Sequence, residues 1–397
     1  MAKIKEFRPK KEKKIRTVAL EQKIKSHRRS KVVKVITLTL IIIISFWSIY
    51  YVWDNSSYSY YTEVSSFPRF SSGNSVCLNH NGRVLTYSKD GINSMDARGV
   101  VVWNETYEMQ NPIVEVNKNA VAVGDYGGHI IYVLDEKGKV GEIDTNLPIR
   151  DFCISENGIV AAVLEDQKAA KLNLYDSQGK ILVESESYMN QNGYPVAVAL
   201  SESGEVMEVS YLQVDGGKVT THVAFYNFSE VGQNKVDRLV SGRAYEDTII
   251  PYVGFFEDQG AFAVGSGGLI FYEGEEKPVD LKIQLMTEEI QAVYRGENHI
   301  ALVYVDTTGA ALYRIDMYDK KGNLVLTRTI DIEIHDILIQ NKNIVVYNDT
   351  ECVMYSISGR EKFRGSFGKS VSLLIPSNKT NRFLMITPTS VDVIELM

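Results

Sequence analysis

The chain has 397 residues, of which 44% are hydrophobic and only 9 are proline, and this composition argues against disorder over most of its length. Its net charge of −7 is unevenly divided, because residues 1–34 carry a large excess of Lys and Arg and the remainder is strongly acidic. The chain has three widely spaced cysteines, Cys77, Cys153 and Cys352, without a CxxC pair, and this argues against a disulfide framework or a zinc site. One disulfide bond between two of them remains an open alternative.

The first predicted element is a membrane-spanning helix over residues 35–53, a stretch without any charged side chain. About 20 such residues cross a hydrocarbon core at a rise of about 1.5 Å per residue. A basic flank ends at Lys34, and aromatic residues from Phe46 to Trp53 follow. The positive-inside rule therefore predicts a cytoplasmic tail at 1–34, an uncleaved signal anchor in the cell membrane, and an extracytoplasmic remainder. A cleaved signal peptide is the competing interpretation, but it needs a shorter apolar core.

Residues 54–74 form a predicted Ser/Tyr-rich stalk, within which Tyr61–Phe70 has the pattern of a strand. From Ser75 onwards the chain repeats. A polar turn followed by a short apolar strand occurs eight times, for example as NHNGRVLTYS from Asn79 and as GENHIALVYVD from Gly296. The spacing of roughly 40 residues, without amphipathic helices between the strands, is typical of the blades of a β-propeller.

A second repeated element is the sequence Asp-x-x-Gly after an alternating strand. An Asp side chain at the first turn position accepts hydrogen bonds from backbone N–H groups just ahead of it, and Gly at the fourth position accepts a positive φ. The motif therefore predicts a tight hairpin between the third and fourth strands of a unit. It occurs at Asp96–Gly99, Asp135–Gly138, Asp176–Gly179 and Asp319–Gly322, with degenerate copies at Tyr272–Gly274 and Tyr355–Gly359.

These patterns predict an all-β fold, a β-propeller of eight four-stranded blades over residues 75–397, preceded by the single helix. The predicted blades are 75–110, 111–148, 149–193, 194–248, 249–288, 289–333, 334–369 and 370–397. The last unit has only three strands, and the hypothesis is that an outer strand from Tyr61–Phe70 completes it. Seven blades is the alternative, if the stretch around 229–250 is a loop excursion.

The Asp-x-x-Gly hairpins resemble those of PQQ-like (quinoprotein-like) and WD40-like propellers. The whole plan resembles an uncharacterised family of single-pass, membrane-anchored propeller proteins from Gram-positive-type bacteria. This resemblance covers nearly the full chain and implies fold and location, but its motifs are structural turns that supply no active-site residues. Quinoprotein dehydrogenases carry a Trp in each blade and a vicinal Cys pair, whereas this propeller has only Trp103, so no quinone cofactor is predicted.

The sequence contains no recognisable catalytic, cofactor-binding or metal-binding motif, so none of these sites is assigned and the chain is predicted not to be an enzyme. The six histidines include no pair at short ligand spacing, although distant ones could meet at a central channel. The glycine-containing runs at 124–129 and 264–268 lack the Lys-Ser/Thr ending and the following helix of a phosphate-binding loop, so they are interpreted as turns.

The predicted function is therefore a non-enzymatic scaffold that binds a protein or another ligand at the cell envelope. The predicted partners are membrane lipid through the helix and an envelope protein or cell-wall component, with no nucleic acid. The alternative is a small-ligand sensor or degenerate enzyme with a site at the central channel. The candidate contact loops are the longest predicted ones, Ser185–Tyr194, Ser229–Pro251 and Gly274–Glu289.

Overall fold

The computed structural model describes residues 12–54, 56–70, 75–167, 169–188, 192–257, 260–340, 342–377 and 379–397. Two compact units divide the chain: an N-terminal unit that ends at Ser57, and a second unit that covers Tyr58–Met397. The first unit is helical and the second consists almost entirely of strands.

The N-terminal unit contains one helix, α1 (Glu12–Asp54), whose stretch Lys25–Ile49 is long and apolar enough to cross a membrane. The helix begins far ahead of the predicted segment 35–53. The stretch Glu12–Asp54 has no Pro or Gly, and Lys, Arg and Glu are good helix formers, so the basic tail continues the helical backbone. The apolar side chains described between Val32 and Ile49 are all exposed, which suits a lipid environment rather than a protein core.

In the described part of the second unit, 32 strands form eight four-stranded antiparallel sheets, which are the blades of a propeller. The first strand of the unit is β1 (Tyr61–Pro68). Blades one to four then contain, in chain order, β2 (Val76–His80), β3 (Arg83–Ser88), β4 (Gly91–Met95), β5 (Val101–Thr106); β6 (Pro112–Val116), β7 (Val121–Asp125), β8 (Ile130–Asp135), β9 (Gly138–Asp144); β10 (Ile149–Ile154), β11 (Val160–Glu165), β12 (Ala170–Tyr175), β13 (Ile181–Ser187); β14 (Tyr194–Leu200), β15 (Val206–Asp215), β16 (Lys218–Asn227), β17 (Leu239–Glu246).

Blades five to seven follow in the same way, and the chain then supplies the first three strands of blade eight. These strands are β18 (Tyr252–Phe255), β19 (Ala261–Gly265), β20 (Gly268–Glu273), β21 (Val279–Leu285); β22 (Ala292–Arg295), β23 (His299–Val305), β24 (Tyr313–Asp319), β25 (Leu324–Ile330); β26 (Asp336–Gln340), β27 (Asn343–Tyr347), β28 (Glu351–Ser356), β29 (Glu361–Ser366); β30 (Leu373–Pro376), β31 (Arg382–Ile386), β32 (Ser390–Leu396). The prediction of an eight-bladed propeller is confirmed, and the seven-blade alternative is wrong. The stretch around 229–250 is not a loop excursion, because it contains a short helix α2 (Glu230–Gln233), a 3-10 turn (Val236–Arg238) and the outer strand β17.

The ring is closed by β1, which forms the outer strand of blade eight next to β32. The sequence hypothesis names the same segment, Tyr61–Phe70, as the outer strand that completes the last blade. Phe67 of β1 packs into the core shared by blades eight and one, and the hydroxyl of Tyr61 accepts a hydrogen bond from the Gly368 backbone N–H at 3.2 Å. Lys369 forms ion pairs with Glu63 of β1 at 2.9 Å and with Asp392 of β32 at 2.8 Å.

The Asp-x-x-Gly motifs form the hairpins that their sequence predicts. In the first, the Asp96 carboxylate accepts hydrogen bonds from the backbone N–H groups of Arg98 (2.9 Å) and Val100 (3.0 Å), and Gly99 has φ +80°. The same pattern recurs after Asp176 and Asp319. These hairpins connect the third and fourth strands in the blades that carry the complete motif.

The hydrophobic core lies between neighbouring blades rather than on one side of a sheet. The middle strands β11, β19, β23 and β27 are buried along nearly their whole length, and the clusters join residues of adjacent blades. The three cysteines are free thiols. Both faces of each middle strand are thus covered, which is why these strands are continuously apolar and do not alternate.

Candidate functional site

The propeller has two faces, named here by the connections that form them. The turn face carries the hairpins between the first and second and between the third and fourth strands of each blade. The loop face carries the remaining hairpins and the connections between blades. Since Tyr61 pairs with Leu396, both ends of the propeller chain lie on the turn face, and the loop face carries neither.

The two faces differ in charge. On the turn face, the described connections contain 12 acidic and 12 basic residues. On the loop face they contain ten acidic residues against three basic ones, Arg69, Lys89 and Lys369. The acidic residues are Asp90, Glu108, Asp166, Asp247, Glu288, Glu289, Asp306, Asp331, Glu333 and Asp349. The described connections of the loop face therefore carry a net negative charge, which attracts cationic partners, whereas those of the turn face are balanced.

An apolar cavity of about 580 Å³ opens on the loop face between blades five and six. Its apolar lining comes from the connections before β18 and β22 and from the ends of β18, β19 and β22 beside them. These residues are Ile249, Pro251, Tyr252, Val264, Met286, Ile290 and Val293. Ile249 is 44% exposed and Tyr252 is 38% exposed. Concave apolar surface with a charged rim is typical of a protein- or ligand-binding site.

The rim of this cavity is held in place by polar contacts. The Arg314 guanidinium donates two hydrogen bonds to the Glu288 carboxylate, at 3.0 and 2.9 Å, and lies over the Tyr304 ring at 4.6 Å. The Tyr304 hydroxyl in turn donates to the sulfur of Met286 at 3.3 Å. A bidentate pair of this kind restricts both side chains, so the rim is organised before any partner binds.

The mouth of the central channel on the turn face is bridged by Lys118. Its ammonium group contacts Glu202 of blade four at 2.7 Å and Glu257 of blade five at 3.2 Å, although Lys118 itself belongs to blade two. Burial alone would lower the pKa of Lys118, but the hydrogen bonds to the two carboxylates outweigh it and raise the pKa. A small polar cavity of about 180 Å³ lies here, and Arg295 also lines it.

Two carboxyl groups lie on neighbouring inner strands of the channel. Burial, reinforced by the charge of Asp151, raises the pKa of Glu115 to about 7, while the charge of Arg295 opposes this rise. Burial also raises the pKa of Asp151 to about 6. Among the residues that the structure describes, no group of three His, Cys, Asp or Glu side chains lies close enough to hold a metal ion.

The candidate contact loops from the sequence are in part strands. Residues 185–187 belong to β13, residues 239–246 to β17 and residues 279–285 to β21, and residues 189–191 lie outside the described residues. Two of the three predicted loops nevertheless supply the cavity, since Ile249 and Pro251 come from one and Met286 from another. Sequence reasoning missed Val264 and Val293, because nothing in the sequence shows that these strand residues meet the two loops.

Comparison with known proteins assigns the chain to a family. Residues 54–396 match the family described as "Family of unknown function (DUF5711)". The chain belongs to this family. The predicted membership of an uncharacterised propeller family is thereby confirmed. A search of the curated proteins finds no match to this DUF5711 sequence.

Several solved propellers are similar to this member of DUF5711 in fold. BamB from Moraxella catarrhalis is 13% identical with a TM-score of 0.50, covering 85% of this chain and 98% of that one. The WD40 domain of SCAP from fission yeast is 9% identical with a TM-score of 0.50, covering 84% and 98%. Apo AztD from Citrobacter koseri is 10% identical with a TM-score of 0.50, covering 75% and 87%. At this identity the likeness shows a shared β-propeller fold and nothing about ligands.

Proposed function

We propose that this chain is a membrane-anchored scaffold that binds another protein on its loop face. The observation that carries the proposal is the apolar cavity between blades five and six, set in a face with ten acidic and three basic residues in its described connections. An apolar cavity supplies an anchor site for a side chain, and the surrounding acidic residues favour a partner with basic groups. The fitting partner is thus a polypeptide with an exposed apolar side chain among Lys and Arg.

The location in the proposal rests on the N-terminal helix. The stretch Lys25–Ile49 serves as an uncleaved anchor, and the basic residues ahead of it keep the N-terminus in the cytoplasm. The propeller then works outside the cell membrane, where the polypeptide partner is an envelope protein. The proposed function is non-enzymatic. Nucleic acid is not a proposed partner, because its negatively charged phosphates are repelled by the acidic propeller.

We expect a charge placed in the cavity to prevent capture of the partner. Full-length protein carrying Ile249→Glu should yield at least tenfold less cross-linked partner than wild type, because a buried carboxylate opposes docking of an apolar anchor. The measurement applies a membrane-impermeant, amine-reactive cross-linker to intact cells, followed by affinity purification and mass spectrometry. The cross-linker reaches the propeller only if it lies outside the membrane, so the same experiment tests the orientation.

The matched control is Val236→Glu, which replaces an apolar side chain that is 83% exposed on the turn face. This control should capture the partner as well as wild type does. Equal capture by both variants and wild type would contradict the loop-face proposal. Capture that appears only after the cells are permeabilised would contradict the extracytoplasmic orientation.

The second candidate function is a small-ligand sensor or degenerate enzyme with its site in the central channel. The observation that favours it is the carboxyl pair Glu115 and Asp151, since strongly raised pKa values are typical of functional sites. We expect Asp151→Asn to lower the pKa of Glu115 below its value of about 7, because the variant removes a neighbouring negative charge. Carboxyl-selective NMR titration measures this shift, and an unchanged Glu115 pKa would remove the electrostatic basis for a channel site.

A further inference from the structure

The outer strand of blade five, β21, has one free edge. It pairs with β20 on one side, and no sheet neighbour lies on the other. No backbone hydrogen bond from Val279–Leu285 to a group outside the sheet occurs among the residues described. Backbone N–H and C=O groups on a free edge can pair with another strand.

The exposed side chains of β21 are all apolar. Val279 is 46% exposed, Leu281 38%, Ile283 37% and Leu285 81%. Each of the other outer strands has at least one polar or charged residue at its exposed positions, such as Glu361 and Arg364 of β29 in blade seven. Exposed apolar residues on a free edge are normally avoided, because they favour pairing with another chain.

The polar residues of β21 do not protect its edge, since they are used in contacts with neighbouring blades. The Lys282 ammonium and the Gln284 amide both donate to the Gly322 carbonyl of blade six, at 2.8 and 2.9 Å. The Asp280 carboxylate pairs with Arg243 of blade four. These contacts direct the polar groups of the strand towards the propeller and leave its apolar side chains facing solvent.

Both ends of β21 are flanked by exposed acidic residues. Glu273, Glu275, Glu276 and the basic Lys277 lie before the strand, and Glu288, which pairs with Arg314, and Glu289 lie after it, so that both ends keep a net negative charge. The strand also leads directly into the loop-face cavity, because Leu285 is followed by Met286 of the cavity lining. An apolar edge between two acidic clusters is complementary to a strand with an apolar centre and basic ends.

We propose that β21 accepts an added strand from a partner polypeptide whose apolar residues alternate and whose two ends carry Lys or Arg. The inference rests on the proposed function and specifies how the partner binds: main-chain hydrogen bonds supply affinity, and the alternate apolar side chains supply specificity. A second copy of this chain is a poorer occupant. Antiparallel pairing of two β21 strands would bring the acidic end of one copy against the acidic end of the other.

The test uses full-length protein in detergent and a short synthetic peptide of alternating Val and Thr with two Lys residues at each end. The peptide should bind in fluorescence anisotropy and should protect the backbone amides of β21 from hydrogen exchange. The double variant Leu281→Lys and Ile283→Lys should bind at least tenfold more weakly. Its matched control, Val102→Lys with Val140→Lys, places two charges at exposed apolar positions of β5 and β9 and should bind as wild type does.

Exchanging the terminal Lys residues of the peptide for Glu should also weaken binding at least tenfold. Equal binding to wild type and to the β21 double variant, or protection at another strand, would overturn the inference. Dimerisation of the wild-type protein in analytical ultracentrifugation that is lost in the double variant would identify a second copy as the occupant and overturn it too. If the double variant still captures the cellular partner while Ile249→Glu does not, the strand-addition inference fails and the loop-face function stands.

Discussion

Replacing β1 by a flexible Gly–Ser segment of equal length is expected to destabilise the propeller by more than about 4 kcal/mol, a loss seen only when a core element is disrupted. The replacement leaves the edge of β32 unpaired and removes Phe67 from the core between blades eight and one. It also removes Glu63, one of the two carboxylates paired with Lys369, and Ser66, whose hydroxyl donates to the Asp392 carboxylate. The Asp392 side chain is fully buried, so it would lose part of the hydrogen bonding that offsets its burial.

Single substitutions in β1, and at Gly99 beside it, should show how much individual contacts of β1 contribute to the free energy of unfolding. Phe67→Ala is expected to cost about 2–3 kcal/mol, somewhat less than for a fully buried Phe. Gly99→Ala should also destabilise, because its φ is +80° and an added Cβ would lie 2.6 Å from the Phe67 ring. Val64→Ser, at a position that is 52% exposed in the same strand, is the control and should stay within about 0.5 kcal/mol of wild type.

Chemical denaturation followed by far-UV circular dichroism measures these differences in the full-length protein in detergent. A Gly–Ser replacement that unfolds at the wild-type denaturant concentration would show that β1 pairing contributes little to stability. An equal loss for Val64→Ser and Phe67→Ala would show that the packing of Phe67 is not the cause.

Replacing Glu208 by Gln is expected to remove a loss of stability that wild type suffers as the pH rises. Glu208 is the third residue of β15, lies at the interface of blades four and five and is 0% exposed. Among the described residues, no donor lies at both the distance and the angle of a hydrogen bond to either of its carboxyl oxygens. Burial raises its pKa well above the ordinary value of 4.5, and the backbone N–H of Gly254 offsets this only in part.

The direction of the pH effect follows from proton binding. Because the folded-state pKa of Glu208 exceeds the unfolded-state value, the folded protein holds a proton that the unfolded chain releases above about pH 4.5. Wild-type stability therefore falls by about 1.4 kcal/mol per pH unit from this group, until the pH reaches the folded-state pKa. Gln does not titrate, so its advantage over wild type should grow as the pH rises above about 4.5, for as long as the folded wild-type protein keeps the Glu208 proton.

The measurement compares denaturation of wild type and Glu208→Gln at several pH values. The groups Glu115 and Asp151 also have raised pKa values and titrate in both proteins, so only the difference between the two profiles reports on Glu208. The exposed Glu205→Gln is the control and should differ from wild type by no more than about 0.5 kcal/mol. Parallel pH profiles for wild type and Glu208→Gln would contradict a protonated, unpartnered carboxyl at this position.

Much of the fold could be predicted because the relevant signals are local. The Asp-x-x-Gly hairpins depend on four consecutive residues, and their side-chain-to-backbone hydrogen bonds form as expected. Counting these turns and the polar turns between them was sufficient to identify eight blades. The exact position where loops end and outer strands begin was less predictable, because β17 mixes polar and apolar residues without a simple alternation, and the apolar residues of β21 alternate but lie at the exposed positions.

The candidate site depends on contacts that no local pattern contains. Ile249, Met286 and Val293 meet only because two neighbouring blades place their connections side by side. Glu208 shows the same difficulty: its polar side chain among Met207 and Val209 suggests a solvent-facing position. A propeller covers both faces of its middle strands, so the alternation that marks an exposed face in an ordinary sheet does not apply.

The closing strand also determines when the ring can form. During synthesis β1 is made before every blade, yet its partner β32 is more than three hundred residues away along the chain. Joining segments so far apart costs about 5 kcal/mol of chain entropy, which the contacts of the final blade must offset. Blades one to seven can fold on the nascent chain while the ring stays open. A chain truncated before β32 exposes the edge of β1 and the flank of blade one, and unpaired strand edges and exposed apolar surface make incomplete chains prone to aggregation.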